Sequence, residues 1–372
     1  MRTLIVRHGR LPLAPLVAIV MSACTAAVPP SASFDRSDEA PRATAPATTS
    51  ATNPEPPATP GATPWVFGAG QIVFEDYAIA FDQHQVWIAD ASGTRQLVLS
   101  HGDDARPSLS PDGTTVLFTR YGRAQPDQAY FVNVDGSNLR PLNCHAQCDP
   151  EGDAWSPDGR TLAVDRAFEP LFTDAFGAEQ ATNVSIWIVN ADGTDLTEVT
   201  KNRSGSNRED HRAVWSPDGK HLAFARTNYA VNPQVMAIFT VSIDGTDLHQ
   251  VTPWKLDANE PDWSPDGSLI AFSSPSASLQ AGREQNIFTI HPDGTGLKQL
   301  TAHLEAEPDG AQGTFDPSWS PDGSQLVFTH IPSFDGLADL YVVNADGSDL
   351  HVLARTPELN ESHAVWGNLP RS

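Results

Sequence analysis

The chain is short of cysteine, of basic residues and of long apolar runs, and each shortage limits what the protein can be. Its 372 residues contain three cysteines, and 23 Lys and Arg residues stand against 46 Asp and Glu residues. This balance argues against nucleic acid as a partner, because an acidic surface repels phosphate backbones and anionic lipid heads. Cationic or neutral ligands fit the charge better, although the acidity can also serve solubility alone.

The first 23 residues have the pattern of an export signal. Three arginines precede the apolar stretch 11–20, which is too short and too early to be a membrane-spanning helix of the mature protein. The next four residues, Met-Ser-Ala-Cys, resemble the end of a bacterial lipoprotein signal. We therefore expect residues 1–23 to be removed and Cys24 to be lipidated, with simple cleavage and secretion as the alternative. Loss of the three arginines leaves 20 basic against 46 acidic residues, a formal charge of −26.

Residues 24–63 are predicted to form a disordered tether. Ala, Pro, Thr and Ser dominate this segment, which has almost no large apolar residue. Such a composition cannot bury enough surface to offset the entropy lost on ordering. A tether suits a globular head held off a membrane by a lipidated N-terminus, so it favours the lipid anchor over free secretion.

Cys144 and Cys148 are the two remaining cysteines. An exported protein resides where disulfides form, and two cysteines four residues apart can reach the required Cα separation if their loop curls. We expect a small loop-closing disulfide. A metal site that includes His145 is the alternative, but it lacks an identifiable fourth ligand.

The tetrad Ser-Pro-Asp-Gly occurs five times, and its residues are those of a tight turn between antiparallel strands. A short apolar run follows each tetrad, and an Asp-Gly turn lies further on, so each repeat predicts a four-stranded antiparallel meander. Four of the tetrads follow a tryptophan. Since a catalytic residue is needed once and a structural one in every repeat, we assign structural roles to Trp155, Trp215, Trp263, Trp319, Gly113, Gly159, Gly219, Gly267 and Gly323.

Fragments at the two ends of the repeat region complete one more unit. Residues 71–99 read as three strands of a unit without its first strand, and residues 363–367 read as a first strand without the other three. We expect the two fragments to pair. The prediction for residues 64–372 is therefore an all-β, six-bladed β-propeller of four-stranded antiparallel blades, closed by the C-terminal strand.

The repeat resembles that of TolB-type propellers, whose hallmark is Trp-Ser-Pro-Asp-Gly followed by an apolar strand and an Asp-Gly turn. The resemblance covers the chain from about residue 65 to its end. It implies the fold and says little about function, because one fold hosts many functions. TolB proper carries an additional N-terminal α/β domain, whereas this chain has the tether there.

The meander geometry places the tight turns on one face of the propeller and the variable loops on the opposite face, here called the loop face. Loops on a rigid scaffold usually carry binding, so we expect the loop face to be the working one. Residues just before each tryptophan should ring the mouth of the central channel from this face. Their mixed charges indicate a polar ligand site, with an inter-blade ion-pair network as the alternative. The candidates are Arg106, Glu151, Asp153, His211, Arg212, Glu260, Asp316, Glu361 and His363.

Two classes of function fit these features. The first is a non-catalytic, monomeric propeller without a cofactor, anchored on the extracytoplasmic side of a bacterial membrane, that binds an envelope protein, a peptide or a glycan. The second is a metal-dependent lyase of the oligogalacturonate-lyase type, which is similar in repeat sequence and uses histidines around a metal. A serine peptidase of the prolyl-oligopeptidase type is not indicated, because no Gly-x-Ser-x-Gly motif occurs.

Overall fold

The computed structural model describes residues within the predicted propeller and none before Gly70. The described ranges are 70–78, 83–90, 95–99, 102–122, 127–144, 149–167, 172–173, 179–180, 184–202, 207–231, 235–275, 285–302, 313–332, 337–354 and 360–370. For residues 78, 149–154, 167, 172–173, 179–180 and 354 only the backbone is described. The predicted signal peptide, Cys24, the tether and Cys148 lie outside these ranges. No helix within them is long and apolar enough to cross a membrane.

Antiparallel strands make up nearly all of the regular structure. Four sheets have four strands each, and the sequence order of the strands shows a meander in three of them. The first sheet contains β1 (Gln71–Ala78), β2 (Gln83–Asp90) and β3 (Arg95–Leu99) with β26 (Glu361–Gly367), and the second contains β4 (Asp104–Leu109), β5 (Thr115–Arg120), β6 (Gln128–Asn133) and β7 (Arg140–Pro141). The third sheet contains β8 (Asp149–Trp155), β9 (Thr161–Ala167), β12 (Val184–Asn190) and β13 (Thr197–Glu198). The fourth sheet contains β14 (Arg208–Trp215), β15 (His221–Asn228), β16 (Val235–Ser242) and β17 (His249–Gln250). A two-stranded hairpin, β10 (Phe172–Thr173) and β11 (Glu179–Gln180), lies between β9 and β12.

The fifth large sheet has eight strands and holds two further meanders. One meander contains β18 (Asn259–Trp263), β19 (Ile270–Pro275), β20 (Gln285–Ile290) and β21 (Lys298–Gln299), and a single-turn 3₁₀ helix (Trp254–Leu256) precedes it. The other contains β22 (Gly313–Trp319), β23 (Gln325–Ile331), β24 (Asp339–Asn344) and β25 (His351–Ala354).

The prediction of an all-β propeller of antiparallel sheets is confirmed, but six separate four-stranded sheets are not found in the described ranges. One parallel pair, Gln285 with Gly313, joins β20 to β22 and merges two meanders into the eight-stranded sheet. Gly313 allows this approach, because a Cβ there would lie 2.3 Å from the Gln285 nitrogen. Four separate four-stranded sheets remain.

The last strand of the described chain pairs with the first. β26 is antiparallel to β1, with Trp366 opposite Ile72 and Gly367 opposite Gln71. The two incomplete units at the ends of the repeat region therefore contribute to one sheet.

The five tetrads adopt one turn geometry. In the tetrad at Ser156, the serine Oγ donates to Asp158 Oδ1 (2.7 Å) and accepts the N–H of Thr161 (2.9 Å). The Gly159 N–H donates to the carbonyl of Ser156 at 2.8 Å. All five tetrad glycines have φ between 68° and 72°, in the region that a side chain with a Cβ avoids. Local side-chain chemistry thus accounts for each turn.

Buried apolar side chains form six clusters in the described ranges, and each cluster draws on two successive meanders. In one of them, Phe131 of β6 and Leu162 of β9 are buried, and Trp155 packs against them. Trp319 is buried in another cluster with 4% of its surface exposed. Cys144 also lies in a cluster and is disulfide-bonded.

Candidate functional site

The innermost strands, β4, β8, β14, β18, β22 and β26, share an irregularity near their middle. At the last residue of each strand, or one residue before it in β26, is what we call the tryptophan position, occupied by Leu109, Trp155, Trp215, Trp263, Trp319 and Trp366. A few residues before that position, the antiparallel register of every one of these strands shifts. A β-bulge of this kind turns one side chain away from the direction that strand alternation would give it.

Five charged residues occupy the bulges, each three residues before a tryptophan position. Their φ angles are all left-handed: 53° for Arg106, 57° for Arg212, 57° for Glu260, 51° for Asp316 and 47° for His363. This conformation costs a residue with a Cβ about 1–2 kcal/mol, so glycine would have the lowest energy at each of these positions. The equivalent residue of β8 is Gly152. We call the five residues the charged ring.

The charged ring lines a cavity of about 300 Å³ that the innermost strands surround. The next residue along each strand contributes proline or alanine to the wall: Pro107, Ala213, Pro261, Pro317 and Ala364. The cavity therefore has charged groups in one layer and small apolar groups in the next. No group of three or more His, Cys, Asp or Glu side chains suited to hold a metal ion occurs in the described ranges.

Ion pairs connect the charged ring from one strand to the next. The Arg212 Nη1 atom lies 2.7 Å from Glu260 Oε1 and 3.0 Å from Asp316 Oδ1. The imidazole of His363 lies between two carboxylates, with Nε2 3.3 Å from Asp316 Oδ2 and Nδ1 2.7 Å from Glu75 Oε1. One network thus links β14, β18, β22, β26 and β1.

Two acidic residues outside the predicted set support the bulges from behind. Glu75 of β1 is 4% exposed, and its Oε2 accepts the backbone N–H of Arg106 at 2.7 Å. Asp165 of β9 is 1% exposed and accepts the N–H of Arg212 at 3.1 Å. Each acid directly follows a three-residue apolar run of its strand, 72–74 in β1 and 162–164 in β9, and that position is the sequence signal that could have identified both.

The network favours the protonated form of His363. Burial alone lowers the pKa of His363, but the nearby Asp316 and Glu75 carboxylates raise it to about 9. Burial raises the pKa of Glu75, whereas attraction to His363 and hydrogen bonds bring it well below its usual range. Because both nitrogens of an imidazolium carry protons, the protonated form of His363 donates hydrogen bonds to the two carboxylates and has no free lone pair for a metal ion or a substrate proton.

Two of the nine predicted ring residues, His211 and Glu361, have described side chains that do not line the cavity. His211 lies beside Asp165 (Nδ1 to Oδ2, 3.4 Å) and Glu209 (Nε2 to Oε2, 3.4 Å), which raise its pKa to about 10 against the lowering effect of burial. Glu361 is fully buried and pairs with Arg95 of β3, with 3.0 Å between Oε1 and Nη1. The side chains of Glu151 and Asp153 lie outside the description.

Antiparallel meanders whose innermost strands surround one cavity are the architecture of a β-propeller, here one with a polar channel. The model of the TolB beta propeller domain matches residues 154–367, more than half of the chain. The chain therefore belongs to the TolB beta-propeller domain family.

Individual relatives agree with this assignment. A TolB homolog of Chlorobium luteolum is 30% identical over 231 residues, which span 62% of this chain and 46% of that protein. The crystal structure of TolB from Acinetobacter baumannii has a TM-score of 0.61 at 17% identity, over 80% of this chain and 67% of that one. An oligogalacturonate lyase in complex with manganese has a TM-score of 0.51 at 17% identity, over 77% and 74%. These two structural likenesses concern the fold alone.

Proposed function

We propose that this chain is a non-catalytic, membrane-anchored, extracytoplasmic propeller whose loop face binds a protein, a peptide or a glycan. The charged ring is the observation that carries the proposal. Five residues of four different kinds stand where the backbone favours glycine, and such strain concentrates at functional sites. A purely structural role would call for the same residue in every repeat, as the tetrads show.

Removal of charge from the ring is expected to weaken partner binding. Glu260→Gln combined with Asp316→Asn keeps hydrogen-bond acceptors for Arg212 but removes two negative charges from the cavity wall. Charged hydrogen bonds contribute about 1.5–3 kcal/mol each, so we expect at least a tenfold loss of affinity. Crosslinking on intact cells, followed by mass spectrometry, identifies the partner and the crosslinked positions, and titration with that partner measures the loss.

The matched control removes two carboxylates from the opposite face. Asp192→Asn with Asp244→Asn changes two exposed Asp-Gly turns and is expected to leave binding intact. Crosslinks confined to the tight-turn face, or equal affinity of both double variants and the parent chain, would overturn the proposal.

The anchoring part of the proposal depends on Cys24 and the tether that follows it. A lipid chain on this cysteine, with a second signal or additional acyl chains, would hold the propeller at a membrane. Cys24→Ala is expected to move the chain from the membrane fraction to the soluble fraction of fractionated cells. An unchanged distribution would mean that Cys24 is not the anchor.

We also propose six blades, with the two halves of the eight-stranded sheet counted separately and the β26–β1 pair closing the circle. Six buried clusters support this count, since each one packs between successive meanders. The cluster that contains Trp366 joins β23, β24 and β25 to β1 and β2, as a closed ring requires. An experimental density map with a seventh meander, or with β26 outside the first sheet, would contradict it.

A metal-dependent lyase of the oligogalacturonate-lyase type is the second candidate, and the likeness of fold is what favours it. It requires a bound metal and cleavage of uronate oligosaccharides by elimination. Metal analysis of the purified chain and a screen for double-bond formation on uronate oligosaccharides separate the two candidates. Bound manganese together with such activity would replace the binding function by the enzymatic one.

A further inference from the structure

The cavity wall is layered along the innermost strands. The charged ring is the first layer, and the proline and alanine residues form the second. The third layer is the residue just before each tryptophan position, and its members in the cavity wall are Ser108, Val214, Asp262, Ser318 and Val365. Asp262 is the ionisable member of this layer in the described part of the chain.

Asp262 differs from the carboxylates of the charged ring in its partners. Glu260 and Asp316 both pair with Arg212, and Asp316 pairs also with His363. The recorded partners of Asp262 are backbone groups: its Oδ2 accepts the N–H of Trp319 at 2.8 Å, and the Trp263 N–H is nearby. No cationic side chain within the described ranges forms an ion pair with it.

The fold does not need a charge at this point. In the following meander Ser318 has the same position, and its hydroxyl accepts the N–H of Trp366 at 3.1 Å. A neutral oxygen therefore serves the same structural purpose that Asp262 serves for Trp319. Burial meanwhile penalises the ionised carboxyl of Asp262 and raises its pKa to about 7, although the two N–H groups oppose this. The fold therefore does not account for a carboxyl group whose ionised form is destabilised in the channel wall, and ligand binding is the alternative explanation.

We propose that the cavity receives one lysine or arginine side chain of a partner polypeptide, whose cationic end binds Asp262. This inference rests on the proposed function and selects a polypeptide among the partners considered there. The aliphatic stem of such a side chain would lie along Pro107, Val214 and Pro261, while its charge reaches the carboxylate, as long basic side chains do at apolar surfaces.

Size and charge both favour this occupant. A volume of about 300 Å³ is at the lower limit of small-molecule pockets, roughly 300–1,000 Å³, so it suits one side chain better than an oligosaccharide. The charged ring and the Glu75 carboxylate behind it balance, with Arg106, Arg212 and His363 against Glu75, Glu260 and Asp316. The chain as a whole is strongly acidic, which draws basic partners.

The test uses Nα-acetyl-lysine amide and Nα-acetyl-arginine amide as probes, with Nα-acetyl-norleucine amide as the uncharged control. Ligand-observed NMR titrations on the purified chain are expected to show binding of the two cations and none of norleucine. Asp262→Asn should weaken the binding of the two cationic probes at least tenfold. Because the carboxyl must ionise first, the affinity of the parent chain should fall about tenfold from pH 8 to pH 6, and that of the variant should not change.

A folding control accompanies the variant. The folded-state pKa of Asp262 is raised, so its stabilising effect is full below the unfolded value near 4 and is lost as the pH rises through about 7. The amide that Asp262→Asn introduces cannot ionise, and its oxygen can still accept the Trp319 N–H. The variant should therefore unfold at a temperature equal to or above that of the parent chain at pH 8, which separates lost binding from lost folding.

The inference fails if norleucine binds as well as lysine, or if Asp262→Asn leaves both the affinity and its pH dependence unchanged. Failure of this inference can be distinguished from failure of the proposed function. If crosslinking finds a partner whose binding depends on Glu260 and Asp316 while Asp262→Asn is without effect, the loop-face function stands and only the basic-side-chain inference is lost.

Discussion

Gly113→Ala is expected to destabilise the propeller by about 3 kcal/mol, against about 1 kcal/mol for Gly159→Ala, although both glycines occupy the same position of the same tetrad. Their φ angles are nearly equal, at 72° and 69°. Their surroundings differ. A Cβ on Gly113 would lie 2.3 Å from the carbonyl oxygen of Asn368, whereas on Gly159 the nearest atom is Cδ of Pro111 at 3.7 Å. The first substitution adds a backbone clash to the φ strain.

The difference arises because residues 368–370 stand where a sixth tetrad would be. Four tetrad glycines face the proline of the preceding tetrad, but Gly113 faces Asn368, Leu369 and Pro370. The side-chain amide of Gln71 secures this contact, since its Nε2 donates to the carbonyls of Gly113 (2.7 Å) and Asn368 (2.9 Å).

Urea unfolding of six proteins measures the effect: the parent chain, Gly113→Ala and Gly159→Ala, and the same three truncated after Gly367. Truncation removes the backbone of residues 368–370 that the new Cβ would meet. The loss in the free energy of unfolding caused by Gly113→Ala should therefore fall from about 3 to about 1 kcal/mol in the truncated background. Gly159→Ala should cost the same in both backgrounds. An equal cost of Gly113→Ala with and without residues 368–370 would show that the contact is not the cause.

Local chemistry made the turns and strands of this fold predictable. Each tetrad holds within four residues the serine, proline, aspartate and glycine that its hydrogen bonds and φ angles require. The sheet count was not predictable in this way. The pair between Gln285 and Gly313 depends on where the chain returns after a long connection, and no pattern inside either strand indicates it.

The candidate site was predictable as a region and not residue by residue. Sequence reasoning proposed residues two to five positions before the tryptophan position, whereas the bulges present the third one to the cavity. Gly152 was the sequence feature that could have identified the third position, since a glycine that alternates with charged residues at equivalent positions suggests a left-handed backbone there. Glu361 and His211 are at the fifth and fourth positions, where side chains meet partners in or next to their own sheet.

The largest effect is expected for Asp210→Ala, at the fifth position before a tryptophan. This substitution should lower the free energy of unfolding by about 3–5 kcal/mol. Asp210 is fully buried and Arg226, opposite it on β15, is 4% exposed. The guanidinium donates from Nε to Oδ1 at 2.6 Å and from Nη2 to Oδ2 at 2.8 Å, and it lies 4.8 Å from the ring centre of Phe239. Without the carboxylate, a positive charge remains buried with no counterion.

Asp104→Ala provides a control with the same geometry and a different environment. Arg120 donates to Asp104 at the same two distances, 2.6 and 2.8 Å, and lies 4.9 Å from the ring centre of Tyr130. Its side chain is 24% exposed, compared with 5% for Arg226. Water can solvate Arg120 after the substitution, so we expect a loss of about 1–2 kcal/mol.

The second control removes both members of the buried pair. Asp210→Ala with Arg226→Met leaves no unpaired charge, and methionine can follow the course of the arginine stem, so the double variant should be more stable than Asp210→Ala alone. Urea unfolding of the parent chain and the three variants gives each free energy of unfolding. Equal losses for Asp210→Ala and Asp104→Ala would mean that hydrogen-bond geometry sets the cost. A larger loss for Asp210→Ala, recovered in the double variant, would assign the cost to burial of an uncompensated charge.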